Sequence, residues 1–148
     1  MTSNLHRRAV LQAGLALCAG VLAPRAQACE FCASTLRIVH PWTRATGPND
    51  RFAVISMVFD EVTETDRLVG VETPVAERAE LGGAGARRDV SFVIPAGRTT
   101  TFSEAGTHLR LLRLKHPLEV GRTYPLNLTF DKGGLVIASF DVDFEHAE

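Results

Sequence analysis

From residue 35 onward the sequence consists of short apolar stretches separated by turns that contain glycine or proline. Alternating apolar residues are typical of half-buried strands. Strands are predicted at residues 36–40, 52–59, 67–72, 76–81, 90–94, 99–102, 106–115, 124–130 and 135–144. Short strands at regular spacing predict an all-β sandwich or barrel. The 148 residues suffice for one modest domain.

Residues 1–28 have the pattern of an export signal. Arg7 and Arg8 precede an apolar run at residues 13–23, and Ala-Gln-Ala at residues 26–28 is typical of a cleavage site. The paired arginines indicate the twin-arginine route of bacteria. The run is too short for the ~30 Å core of a bilayer, which disfavours a membrane anchor. We therefore expect a periplasmic protein with no membrane span once the signal is removed.

The charge of the remaining chain gives no case for nucleic-acid binding. The sequence has 16 basic and 17 acidic residues, and residues 1–28 contain three arginines and no acidic residue. Removing those three arginines leaves 13 basic and 17 acidic residues, a net charge of −4. A net acidic domain without lysine-rich blocks lacks the electrostatic footprint of a nucleic-acid binder.

Cys29 and Cys32 form a C-x-x-C pair in a predicted N-terminal arm, residues 29–36, that precedes the domain predicted at residues 37–145. The pair allows a local disulfide, a redox dithiol or two thiolates for Cu(I). An oxidising periplasm favours the disulfide, and no βαβ setting supports the redox dithiol. Lipid attachment at Cys29 is a further alternative, disfavoured because residues 26–28 lack the leucine usual in such signals.

His108 and Arg110 lie two positions apart at the start of the strand predicted over residues 106–115. Side chains two apart on a strand point to the same face. The sequence therefore predicts that an imidazole and a guanidinium share one face. No nucleophile–base motif, carboxylate pair in a catalytic setting or phosphate-binding loop is evident, so we expect no enzyme.

Several segments in order resemble the periplasmic copper chaperones called PCu(A)C. They are Trp-Thr-Arg-Ala at 42–45, Asp-Arg-Leu-Val-Gly at 66–70, Pro-Val-Ala-Glu-Arg-Ala-Glu-Leu at 74–81, Ile-Pro-Ala-Gly at 94–97, Gly-Thr-His-Leu at 106–109, Leu-Lys-His-Pro-Leu at 114–118 and Pro-Leu-Asn-Leu-Thr-Phe at 125–130. The resemblance implies a cupredoxin-like Greek-key β-sandwich. It also implies carriage of Cu(I) toward the copper centres of cytochrome oxidase, with an oxidase subunit or another periplasmic copper carrier as partner.

Most metal ligands of that family are absent here. The family places a His and a Met just after the Glu-Leu pair, a further Met across that hairpin, and a later His-x-Met. Here Glu80-Leu81 is followed by Gly82-Gly83, and His108-Leu109 is followed by Arg110. Met57 lies on a different predicted strand. His108 alone remains, and a guanidinium beside it repels a metal cation. We therefore predict that the usual copper site does not form.

Two hypotheses follow. In the first, copper handling persists through rebuilt ligands, Cys29 and Cys32 with His40 or His108, because two thiolates suffice for Cu(I). In the second, the protein is a copper-independent binding module. Its basic face would dock an anion or an acidic partner protein, since guanidinium groups recognise carboxylates and phosphates. That face would consist of Arg87, Arg88, Arg110 and Arg113.

Overall fold

The structure is a computed structural model that describes residues 30–144. The predicted export signal, Cys29 and the last four residues lie outside the described residues. Within residues 30–144 we find no helix with the length and apolar character needed to cross a bilayer.

Nine strands and one 3-10 turn make up the described fold. The strands are β1 (Arg37–Arg44), β2 (Phe52–Asp60), β3 (Asp66–Glu72), β4 (Ala76–Gly82), β5 (Phe92–Ile94), β6 (Thr100–Phe102), β7 (His108–Leu114), β8 (Thr123–Phe130) and β9 (Gly134–Asp143). The 3-10 turn, Gly83–Gly85, follows β4. The alternation of apolar residues thus predicted the strands to within a few residues.

The strands form one curled sheet in the order β4-β7-β2-β1-β9-β8-β3-β5, and β6 pairs with β2. The described pairs are antiparallel except β1 with β9, which is parallel. The two halves of the sheet enclose one core, to which β2 and β7 contribute Ile55 and Leu109 while β8 and β9 contribute Leu128 and Phe140. The all-β sandwich predicted from the sequence is confirmed.

Two local features differ from the sequence prediction. Pro41 does not end the first strand, because β1 continues to Arg44 through an irregularity between Val39 and Trp42, with His40 at φ 45°. The stretch after β4 is also not a strand hairpin. β4 pairs with β7 whereas β5 pairs with β3, so the chain crosses between the two halves of the sheet there. Local sequence signals a turn but not which partner the next strand takes.

The buried carboxylate of Asp66 holds the N-terminal arm against the sandwich. Its side chain accepts hydrogen bonds from the Thr35 hydroxyl at 2.7 Å and from the backbone N–H groups of Arg67, Lys132 and Gly133 at 2.7–2.8 Å. Burial raises the pKa of Asp66, but these four hydrogen bonds outweigh it and lower the pKa below its usual value. Asp66 therefore ties the arm, β3 and the β8–β9 turn together.

We expect Asp66→Asn to lower the free energy of unfolding at pH 7 by about 1–3 kcal/mol, because the amide turns N–H donors toward backbone donors. Since the folded-state pKa is lowered, the carboxylate stabilises the fold above the unfolded-state value of about 3.9. That stabilisation is lost as pH falls through the folded-state value. Urea unfolding at a series of pH values should show wild type and variant converging in acid.

Asp131→Asn, an exposed carboxylate in the same β8–β9 turn, is the matched control. We expect it to change stability by less than about 0.5 kcal/mol, as exposed substitutions usually do. An equal loss from both variants would contradict the role assigned to Asp66.

Candidate functional site

The imidazole of His108 is held in one orientation at the start of β7. His108 is 8% exposed, and its Nδ1 lies 3.2 Å from the carbonyl oxygens of Ser103 and Gly106. Because carbonyl oxygens only accept hydrogen bonds, Nδ1 is the donor in these contacts, and in a neutral imidazole Nε2 then bears the lone pair. Metal-bound histidines are commonly oriented in this way, by donating the other ring N–H to a backbone carbonyl.

Two glycines pack against this ring from β4. Gly82 pairs with His108 across the sheet, and a Cβ at Gly82 would collide with His108 Nε2 and lie 2.5 Å from Cδ of Arg110. Gly83 has φ +81°, and a Cβ there would collide with the carbonyl oxygen of Gly106. Gly82 and Gly83 stand where a PCu(A)C site would have its first His and Met. In this structure the backbone of these glycines packs against His108. No side chain fits at Gly82 unless His108 and Arg110 move.

Arg110 lies on the same face as His108, as the two-residue spacing predicted. A Cβ placed at Gly82 would lie within 2.5 Å of both Arg110 Cδ and His108 Nε2. These two atoms are therefore at most about 5 Å apart. The guanidinium carbon lies 4.4 Å from the centre of the Phe52 ring, and Nη1 lies 3.5 Å from Glu80 Oε1. The aliphatic part of Arg110 thus lies next to His108 Nε2, whereas its charged group lies over Phe52 and beside Glu80.

The other three predicted basic residues lie on β7 and in the loop after β4. Arg113, at φ 55°, pairs with Glu77 at 3.3 Å and its side chain is 74% exposed. Arg87 and Arg88 lie exposed in the loop after the 3-10 turn. The backbone of Arg87 exchanges two 3.0 Å hydrogen bonds with Leu81, which fixes this loop to the end of β4.

Cys32 lies far from His108. Its backbone forms an isolated antiparallel β-bridge with Arg37, and Arg37 pairs with Asp60 at the end of β2. The pairing of Ile55 with Leu109 places His108 level with Ser56, which lies four residues before Asp60 on β2. Four residues span about 13 Å, and β1 and β7 lie on opposite sides of β2. Cys32 and His108 therefore do not form one site in this structure.

Cys32 is exposed and disulfide-bonded. The other two cysteines of the sequence, Cys18 and Cys29, lie outside the described residues. A disulfide sulfur has no thiolate, so this form of Cys32 is not a thiolate ligand. The arm around Cys32 is ordered by hydrogen bonds from Ile38 N–H to the Phe31 carbonyl at 2.9 Å and from Ala33 N–H to the Leu36 carbonyl at 3.0 Å.

His40 is exposed on β1, and β2 lies between it and His108 on β7. It lines a shallow groove with Trp42 and Ser103. Met57 is 1% exposed and belongs to the core. Across residues 30–144, no three His, Cys, Asp or Glu side chains lie close enough together to hold a metal ion. His108 is therefore an oriented but isolated ligand within this part of the chain.

Phe52 and Glu80 are the site residues that sequence reasoning did not identify. They belong to β2 and β4, on either side of β7, and both contact the guanidinium of Arg110. A contact of this kind depends on the register between strands that are distant in sequence. The local pattern around either residue has no signal for it.

Comparison with known proteins identifies the family. The family model described as "Putative lipoprotein LpqE-like" matches residues 36–142. The protein is 29% identical over 143 residues to "Putative lipoprotein Lxx21020" of Leifsonia xyli subsp. xyli (strain CTCB07), a match that covers 89% of this chain and 86% of that protein.

Solved PCuAC domains share the fold. The copper-bound PCuAC domain from PmoF2 superposes with a TM-score of 0.71 at 24% identity, covering 78% of this chain and 97% of that domain. The apo PCuAC domain from PmoF1 gives 0.71 at 25%, covering 78% and 98%. The solution structure of CuI-DR1885 from Deinococcus radiodurans gives 0.65 at 27%, covering 77% and 83%.

Two of these structural relatives are PCuAC domains, and the third is DR1885 with Cu(I). The resemblance to PCu(A)C domains seen in the sequence is confirmed by the similarity in fold. On the match over residues 36–142, the chain belongs to the LpqE-like family and has the fold of a PCuAC domain.

Proposed function

We propose that this protein is an exported, periplasmic copper-chaperone-like protein whose Cu(I) ligands are the thiolates of Cys29 and Cys32. The observation that carries the proposal is the shared fold with DR1885, which binds Cu(I) in its solved form and is 27% identical. The lipoprotein names of the family and of its Leifsonia relative support export. Delivery to an oxidase subunit or to another copper carrier is the corresponding role.

His108 is a poor replacement for the full ligand set. Its Nε2 is oriented for binding, but one imidazole offers Cu(I) a single donor, and the neighbouring Arg110 side chain supplies no second one. Two thiolates satisfy a soft, low-coordinate ion without further ligands. His40 lies on β1, which β2 separates from His108 on β7, so it is not part of the proposed ligand set.

The disulfide at Cys32 makes binding depend on reduction. A dithiol donor transfers two electrons and two protons to the disulfide, giving two thiols and one oxidised donor. The thiols then lose their protons on binding Cu(I). The arm is anchored through Thr35 to Asp66, so Cys32 is presented from an ordered platform.

Competition of the purified protein with a Cu(I) chelator tests this assignment. We expect the reduced wild type to bind one Cu(I) tightly. The oxidised wild type and the double variant Cys29→Ser/Cys32→Ser should bind Cu(I) more than about 100-fold more weakly. Losing a metal ligand lowers affinity by more than losing the hydrogen-bond partner of a ligand does. Equally tight binding by the reduced wild type and the double variant would rule out the cysteines.

Arg110→Met, made in the Cys29→Ser/Cys32→Ser background, should create a weak Cu(I) site at His108. The methionine sulfur replaces Cδ of Arg110, which lies at most about 5 Å from Nε2. Metal bonds of about 2.0 Å to nitrogen and 2.3 Å to sulfur span nearly that separation. The substitution also removes the positive charge. Chelator competition and the NMR signals of the His108 ring would report the binding.

Arg113→Met in the same background is the matched control, since it places the same side chain on β7 beside Glu77 and away from Nε2. We expect no gain in Cu(I) affinity from it. If the two methionine variants behave alike, Arg110 is not what prevents copper binding at His108.

A further inference from the structure

Charge is distributed unevenly between the parts of this protein. Residues 76–115 contain seven basic and four acidic residues, a net charge of +3. The rest of the described chain, residues 30–75 and 116–144, contains six basic and eleven acidic residues, a net charge of −5. Where basic residues of this segment gather on one surface, they attract an acidic partner to that surface.

Two of these basic residues, Arg78 and Arg110, lie with Glu80 on the outward side of β4, β7 and β2, which we call the outer face. One row across it consists of Arg78, Leu112 and Phe52, and the next consists of Glu80, Arg110 and Val54. The loop with Arg87 and Arg88 extends from one end of β4. Phe52 is 46% exposed, so the face combines apolar area with guanidinium groups. Aromatic and arginine side chains of this kind dominate binding energy at protein interfaces.

Arg110 is paired less closely than Arg37 and Arg44. Arg37 donates two 2.7 Å hydrogen bonds to Asp60, and Arg44 donates bonds of 2.6 and 3.0 Å to Glu104. Arg110 contacts Glu80 at 3.5 Å without a hydrogen bond among the described residues, and its side chain is 34% exposed. Its guanidinium carbon lies over the Phe52 ring, 4.4 Å from the ring centre.

A guanidinium that is already oriented and retains N–H donors is suited to bind a carboxylate in two-point fashion. The entropy cost of ordering the side chain is met before the partner arrives. The neighbouring Phe52 and Leu112 offer apolar area to a side chain next to that carboxylate.

We propose that the outer face is a docking surface for an acidic protein. A carboxylate of the partner binds Arg110, an apolar side chain of the partner packs on Phe52, and Arg78, Arg87 and Arg88 supply long-range attraction. The proposal stands on charge and geometry within β2, β4 and β7. It does not depend on whether Cys29 and Cys32 bind copper.

A short polyglutamate chain is the probe, added to isotope-labelled protein at low and raised salt. We expect backbone NMR shifts at Arg78, Arg87 and Arg110 that weaken with salt. Arg110→Gln should reduce affinity about tenfold, the effect of losing a charge-assisted hydrogen bond. Phe52→Leu, which keeps apolar bulk but removes the ring, should reduce affinity about two- to fivefold, the range of an exposed cation–π contact.

Arg122→Gln is the matched control, because Arg122 is exposed, pairs with Glu119 at 2.6 Å and lies outside the outer face. It should leave affinity within a factor of about two. The Cys29→Ser/Cys32→Ser variant should bind polyglutamate like the wild type, which separates this proposal from the copper assignment. An equal loss from Arg110→Gln and Arg122→Gln, shifts spread over the whole surface, or no binding would overturn it. So would binding to phosphatidylglycerol vesicles in place of polyglutamate.

Discussion

The position of β7 between β4 and β2 determines which residues surround His108 and Arg110. That pairing places Gly82 under the His108 ring, Glu80 beside Arg110, and Phe52 beneath the guanidinium. A shift of one residue along β7 would exchange its buried leucines for its polar side chains, so the core fixes the register. The arrangement of Gly82 and Arg110 around His108 is therefore fixed by the packing of Leu109 and Leu111, which are fully buried.

The structure separates Cys32 from His108, two residues that the sequence alone allowed as ligands of one metal site. His108 lies at the β4–β7 side of β2, whereas Cys32 lies beside β1 near the other end of β2. The arm with Cys32 is held by Asp66, a buried carboxylate satisfied by four hydrogen bonds. One region thus offers sulfur chemistry on an ordered arm, and the other offers guanidinium groups on a sheet face. A carrier that docks through one surface and holds its cargo on another requires such a division.

Much of the fold was predictable because strand periodicity is local. The two-residue repeat around His108 placed it on one face with Arg110, and the alternation in residues 124–130 and 135–144 predicted the β8–β9 pair. The chain's crossing after β4 was not predictable, since it depends on whether β5 pairs with β4 or with β3. The contacts of Arg110 with Phe52 and Glu80 were missed for the same reason: they depend on pairings between strands distant in sequence. The sequence predicted a loss of ligands at Gly82 but not that the glycine backbone fills the space above the imidazole.

X-ray absorption at the copper edge, on reduced protein loaded with one equivalent of Cu(I), tests the central claim most directly. The claim is that copper binds to the cysteine sulfurs and not to the family's imidazole position. A first coordination shell of sulfur alone is the predicted result. An imidazole nitrogen shell that disappears in His108→Phe would show that copper still binds where Arg110 now stands, and would contradict the account.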